Sequence, residues 1–227
     1  MIQIGGFQKV TLLDYPDQIA CIIFTVGCNY RCPFCQNSEL VIHSKGIYSE
    51  EEILSYLNKR KGILDGVVIS GGEPTVQKDL KDFIIKVKKL GLLVKLDTNG
   101  TNYELMEDLI QNKLIDYVAM DIKNDLNKYE KITINNPQIN NIKKSIKLLK
   151  ESKIDHEFRT TIMKNYHTIV DLKNICKLVD GDKYFLQNFK DSEYVIGDNL
   201  IPFTNEELIS IQNELQKEFT NVSVRDL

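Results

Sequence analysis

Six short apolar runs in this chain each break off into a glycine or a polar motif. IACIIFTVG (19–27) runs into a cysteine loop, and GVVISGGEP (66–74) ends in paired glycines. LLVKLDTNG (92–100) ends in a polar turn and YVAMDIK (117–123) in an acid and a base. HEFRTTIM (156–163) and KYFLQNF (183–189) complete the set. Between them the spacing predicts helices. Ser49 with Glu52 forms a capping box opening about ten helical residues. Leu80, Phe83, Ile84, Val87 and Leu90 recur at helical intervals over 78–90, with Gly91 placed as a cap. Helices are also expected over 103–112, 137–151 and 167–179, and after Thr204–Glu207, before a final strand VSVRDL. Strands alternating with helices imply a parallel sheet with right-handed crossovers. Six units are too few for a closed eight-stranded barrel. In such sheets chemistry collects where the strands end, so six motifs at six strand ends are expected to share one rim.

The first motif is the most specific. Cys28, Cys32 and Cys35 stand in GCNYRCPFC, spaced Cys-x-x-x-Cys-x-x-Cys. Three thiolates within eight residues can hold a four-iron cube by three corners, leaving one iron open, since such clusters otherwise take four cysteines. A structural zinc site wants four ligands, commonly in two pairs, and only His43 lies nearby. Five cysteines, an odd number, argue against a disulfide framework. Cys21 and Cys176 fall on apolar faces and read as packing residues. His43, His156 and His167 lack ligand spacing.

The remaining motifs each admit two readings. Gly71 and Gly72 permit close backbone approach; Glu73 is a ligand-binding carboxylate or a helix-start acid. Asp97, Thr98 and Asn99 form a binding loop or an Asx turn. Asp121 and Lys123 share a face of their strand, as a structural ion pair or as working groups, because buried charge must be paired or used. Arg159 needs an anion: a ligand carboxylate, Asp121 or Asp97. Gln187, Asn188 and Phe189 border a site, or Phe189 is core. The lysines of 143–153 read as a solvated face.

Composition bounds the alternatives. The 227 residues, 42% hydrophobic and 27% charged, suit one sizeable globular domain, 1–227. Within it, 1–17 is expected to form a small hairpin and 18–227 the sheet. A net charge of −3 lacks the basic footprint of a nucleic-acid binder. No apolar run approaches a membrane span. The opening MIQIGGFQKVTLLDYP does not read as a signal peptide, so a reducing cytoplasm is the expected compartment.

The cysteine spacing, with aromatic Phe34 before the third cysteine, resembles the radical S-adenosylmethionine (radical SAM) superfamily. SGGEP resembles its GGEP motif, and MDIK the D-x-K of the glycyl-radical-enzyme activases. GGFQKVTLLDYP, DTNG and FLQNF are similar to the activating proteins of anaerobic ribonucleoside-triphosphate reductase. Many of those carry His-Asn after the third cysteine, where this chain has Gln36-Asn37. The resemblance implies an α/β fold, an open partial (βα)6 barrel with a short N-terminal hairpin. It implies a [4Fe-4S] cluster on Cys28, Cys32 and Cys35. S-adenosyl-L-methionine would lie against Phe34, Gly71, Gly72, Glu73, Asp97, Thr98, Asn99, Arg159 and Gln187, with Asp121 and Lys123 as the catalytic pair. The implied partners are a large glycyl-radical enzyme and a low-potential electron donor such as flavodoxin or ferredoxin. A radical SAM enzyme acting on a small molecule or peptide is the alternative.

Overall fold

A computed structural model describes the whole chain except His43, Ser44, Asn135, Asp226 and Leu227. The elements in chain order are β1 (Ile4–Thr11), β2 (Ala20–Thr25), α1 (Ser38–Ile42), α2 (Glu50–Lys59), β3 (Gly66–Gly71), α3 (Leu80–Lys89), β4 (Leu93–Thr98), α4 (Tyr103–Gln111), β5 (Tyr117–Asp121), α5 (Tyr129–Thr133), α6 (Ile139–Glu151), β6 (Asp155–Ile162), α7 (Ile169–Leu178), β7 (Tyr184–Asn188), α8 (Asn205–Gln216) and β8 (Val222–Arg225). The strands follow one another in sheet order from β1 to β8. The residues group into two compact units. One comprises 1–29, 39–98 and 102–118; the other comprises 30–38, 99–101 and 119–227.

In the first unit β2 pairs in parallel with β3, and β3 with β4. The apolar runs that make these strands are buried throughout: Ile23, Val67, Ile69, Val94 and Leu96 have no exposed surface. The Ser49–Glu52 capping box opens α2, and α3 buries Leu80, Phe83, Ile84 and Val87. Burying such side chains is worth about 1.5–3 kcal/mol each. The expected N-terminal antiparallel hairpin is present, with its second arm lying beyond 1–17. β1 pairs antiparallel with β2 itself, from Ile4 opposite Thr25 to Thr11 opposite Ala20, with two irregularities in register. The first parallel strand is thus also the second arm of the hairpin.

In the second unit β6, β7 and β8 pair in parallel. α6 buries Ile142, Ile146 and Leu149, and a Thr168–Asp171 capping box opens α7. A Thr204–Glu207 box opens α8, as expected. The reading of VSVRDL as a strand holds to Arg225; its last two residues and His43 lie outside the described residues. α5 was not expected, because five residues are too few to display a period. Among the described residues no helix is long and apolar enough to cross a membrane.

The segment between β1 and β2 has a definite task. Tyr15 packs with Ala20, Ile22, Val68 and Tyr117 in one buried cluster, its ring centroid 6.0 Å from that of Tyr117. Gly66 is small for the same reason: a Cβ there would lie 2.9 Å from the Tyr15 ring. Tyr15→Ala removes the ring around which this end of the sheet closes. It is expected to cost about 3–5 kcal/mol in a urea titration; a loss under about 1 kcal/mol would show that Tyr15 lies on the sheet without supporting it.

Candidate functional site

In the first unit the cysteine loop and the glycine motif are joined through their backbones. β2 ends at Thr25, and the Gly27 N–H donates to the Leu40 carbonyl at 2.7 Å, setting the chain that enters Cys28. The Gly72 N–H donates to Thr25 O at 3.0 Å, and the Glu73 N–H to Gly27 O at 2.8 Å. A Cβ on Gly72 would sit 2.1 Å from the Gly27 carbonyl oxygen, so only glycine allows this approach. Gly71 adds a φ of +122°, in the region that favours glycine.

Glu73 is 1% exposed. Its Oε1 accepts from the Thr75 N–H (3.1 Å), the Thr75 hydroxyl (2.5 Å) and the Thr98 hydroxyl (2.7 Å). It caps the short 3-10 turn Pro74–Val76, so the helix-start reading is realised. The same bonds fix the plane of its carboxylate at the end of β3. Asp97 pairs with Lys95 at 2.5 Å; Lys95 is almost wholly buried and lies over the Tyr117 ring.

The second unit gathers the other charged residues. Asp121 accepts from Arg159 Nε at 2.8 Å and from Lys123 Nζ at 3.2 Å. Their side chains are 29%, 12% and 17% exposed, respectively. Burial alone would raise the Asp121 carboxyl, but the Arg159 and Lys123 charges outweigh it and hold it at about 2. Burial likewise disfavours the Lys123 charge, yet Asp121 and then Cys32 keep the ammonium well above its usual range. The acid and base on one strand face therefore form an ion triad with Arg159, which takes Asp121 as its anion.

Cys32 is buried and Cys35 half-buried, and the Cys35 N–H donates to Cys32 O at 3.0 Å. Burial pushes the Cys32 thiol up to about 11 against the pull of Lys123. Four anchors hold this part of the loop. The Arg31 N–H donates to Thr133 O at 3.1 Å, and the Gly197 N–H to Pro33 O at 2.7 Å. The Tyr30 hydroxyl donates to Pro137 O at 2.5 Å, and Gln36 Nε2 to Lys190 O at 2.7 Å. Phe34 is buried within it.

Asn99 makes the Asx turn, its Oδ1 accepting from the Thr101 N–H (3.0 Å) and hydroxyl (2.7 Å). Gln187 is half-buried on β7, opposite Thr161 and Arg225 in register, while Phe189 is core. Cys21 and Cys176 have no exposed surface, and burial lifts both thiols to about 12. Three contributors escaped the sequence reading. Tyr129 and His167 hold the Lys123 backbone; Lys95 anchors Asp97. Lys95 left a trace, a lysine two residues before an aspartate on an apolar strand. The other two act through backbone groups and leave none.

Three cysteine thiols spaced Cys-x-x-x-Cys-x-x-Cys are the donor type that a four-iron cluster takes. Among the described residues no three histidine, cysteine or carboxylate groups converge to hold one metal ion. A four-iron cluster takes one thiolate per iron, so its ligands stand apart by the width of the cluster.

Comparison with known proteins places this arrangement. The model of the radical SAM superfamily matches residues 22–179, and the chain belongs to that superfamily; it is a radical SAM enzyme. It is 37% identical, over 99% of its own length and 96% of the other, to a Methanocaldococcus jannaschii protein named as a glycyl-radical enzyme activating enzyme. A second so named from the same organism is 30% identical over 82% of this chain and 69% of its own. Among solved structures, Streptococcus suis SuiB bound to its precursor peptide SuiA superposes with a TM-score of 0.73 at 16% identity, covering 90% of this chain and 48% of SuiB. Escherichia coli QueE superposes at 0.55 and 15% identity, covering 99% and 93%. The fold is the open, mostly parallel partial barrel of these proteins, with an antiparallel N-terminal hairpin.

The ion triad has a pH signature. A carboxylate with a depressed folded-state pKa adds stability that is present above its unfolded value, about 3.9, and is lost as pH falls towards 2. Denaturant titrations should find Asp121→Asn less stable than the parent at pH 5–7, with the gap closing between about pH 4 and 2. A gap that stays constant over that interval would mean that the ionised carboxylate does not stabilise the fold.

Proposed function

We propose that this chain is a glycyl-radical-enzyme activase. It would cleave S-adenosylmethionine reductively at a [4Fe-4S] cluster held by Cys28, Cys32 and Cys35, and generate a glycyl radical on a large partner, anaerobic ribonucleoside-triphosphate reductase. The observation that carries this reading is the end-to-end match to a protein named for glycyl-radical enzyme activation. GGFQKVTLLDYP and FLQNF, which resemble the reductase activases, support the choice of partner.

When bound, the cluster and S-adenosylmethionine supply one-electron cleavage of a sulfonium and abstraction of a hydrogen atom, here from a glycine Cα–H. The chain's residues bind and orient. Glu73, its carboxylate plane fixed by Thr75 and Thr98, takes the methionine ammonium. Gly71 and Gly72 bring the backbone of the glycine motif against the cysteine loop. Arg159 is the cation for the methionine carboxylate. Asp97, Thr98, Asn99 and Gln187 border the nucleoside, with Phe34 packed beneath the loop. Asp121 and Lys123 place a matched pair of charges at the cofactor, so the site gains a cation without an unbalanced buried charge. The electron comes from a low-potential flavodoxin or ferredoxin in a reducing cytoplasm.

Two measurements test this. Anaerobic reconstitution of Cys28→Ala, Cys32→Ala or Cys35→Ala is expected to lose the brown chromophore and 5′-deoxyadenosine formation, whereas Cys21→Ala and Cys176→Ala keep both. Loss of the cluster in Cys176→Ala alone would overturn the ligand assignment. With reductant, S-adenosylmethionine and the reductase, a glycyl-radical doublet should appear by electron paramagnetic resonance and vanish when the radical-bearing glycine is changed to alanine. Cleavage coupled to a small molecule or peptide, with no protein radical, would replace the activase reading.

A further inference from the structure

The peptide of Lys123 is held from both sides by buried side chains that do none of the chemistry described above. Lys123 lies two residues beyond the end of β5, where the ladder has stopped. Its N–H donates to the Tyr129 hydroxyl oxygen at 2.9 Å. Its carbonyl meets His167 Nε2 at 2.9 Å. The Met163 N–H donates to His167 Nδ1 at 3.3 Å, so Nδ1 is the acceptor and Nε2–H the donor to Lys123. Tyr129 has no exposed surface and His167 very little.

Tyr129 also opens α5, and that helix reaches the cysteine loop. The Thr133 hydroxyl donates to Tyr129 O at 3.0 Å, and Thr133 O accepts the Arg31 N–H at 3.1 Å, one residue before Cys32. Ile132 and Thr133 are as deeply buried as Tyr129. The helix ends on Ile134 at φ +63°, a left-handed conformation that a β-branched residue adopts only where its surroundings impose it. One short helix therefore grips the backbone of Lys123 at its start and the backbone before Cys32 at its end.

We propose that Tyr129 is a positioning residue that sets Lys123 and the Cys32 segment in fixed register, so that the ammonium keeps its place beside the cluster-binding loop when the cofactor binds. The inference rests on the cluster and cofactor reading given above, not on the identity of the protein partner.

The test uses Tyr129→Phe, which keeps the ring and removes the hydroxyl. The reconstituted holoenzyme should retain its iron. Its reduced cluster should show a weakened change in electron paramagnetic resonance on adding S-adenosylmethionine, and cleavage should fall about tenfold, the scale of one lost buried hydrogen bond. In the apoprotein, residues 30–32 and 122–124 should lose hydrogen-exchange protection together. A double-mutant cycle separates positioning from general support: Tyr129→Phe should add little in a Lys123→Met background. Wild-type spectra and cleavage in Tyr129→Phe, losses that add fully to those of Lys123→Met, or exchange rising in only one segment would each overturn the proposal. Failure of the activase reading shows elsewhere, as absence of the glycyl doublet with cleavage and cluster spectra unchanged.

Discussion

A parallel strand that stops leaves its next peptide groups without ladder partners, and a buried N–H or C=O left unpaired costs about 1–3 kcal/mol. Most of the site's architecture answers that cost. After β3, the amides of Gly72 and Glu73 turn to the carbonyls of Thr25 and Gly27. After β5, the Ile122 N–H turns to Arg159 O, and Lys123 to Tyr129 and His167. After β7, the Phe189 N–H finds Ile162 O, and Asn188 exchanges bonds with the Phe203 backbone. Each recapture draws one strand-end loop onto another element. Within each unit the strand-end loops are held because their backbones must be satisfied, and the chemistry-bearing side chains are delivered with them.

Charge follows the same logic of enforced partnership. Lys95 is almost fully buried and survives through Asp97. Glu157 is buried and takes a bidentate pair of bonds from Arg225, whose guanidinium stacks 4.0 Å from the centre of the Phe185 ring. Asp121 serves two cations. A buried pair gives little net stability, since desolvation offsets most of its attraction, but removing one member strands the other. Such groups are costly to keep for the fold alone.

The strands and most helices were legible because their signals are local. A capping box needs four residues, and Ser49–Glu52 and Thr204–Glu207 stand where they were read. The strand ends were legible because apolar runs give way abruptly to glycine and charge. Asp121 and Lys123 were placed on one face by strand alternation, and they meet. What stayed hidden depends on long-range backbone contacts. Nothing in YEKIT announces a helix whose last carbonyl receives the cysteine loop, nor does LLDYP announce that Tyr15 will pack beside Tyr117. The hairpin was legible from its opening segment, while the identity of its second arm, β2, was not. Arg159 was left with three candidate anions, and only the geometry shows that Asp121 is a partner.

Two of the four anchors named for the cysteine loop are indifferent to side-chain identity. Arg31 contributes its N–H, Pro33 its carbonyl and Gly197 its N–H. A loop held in this way can vary in sequence around its cysteines without losing its path. Gln36 shows the same economy: its amide reaches the Lys190 carbonyl, a bond that any side chain with a suitably placed donor can make. The departure from His-Asn at this position leaves the Cys-x-x-x-Cys-x-x-Cys spacing untouched. Cys28 and Cys35 meanwhile remain half-exposed. Cys32 is the buried one of the three, so backbone bonds set the path of the loop while two of its thiols stay accessible.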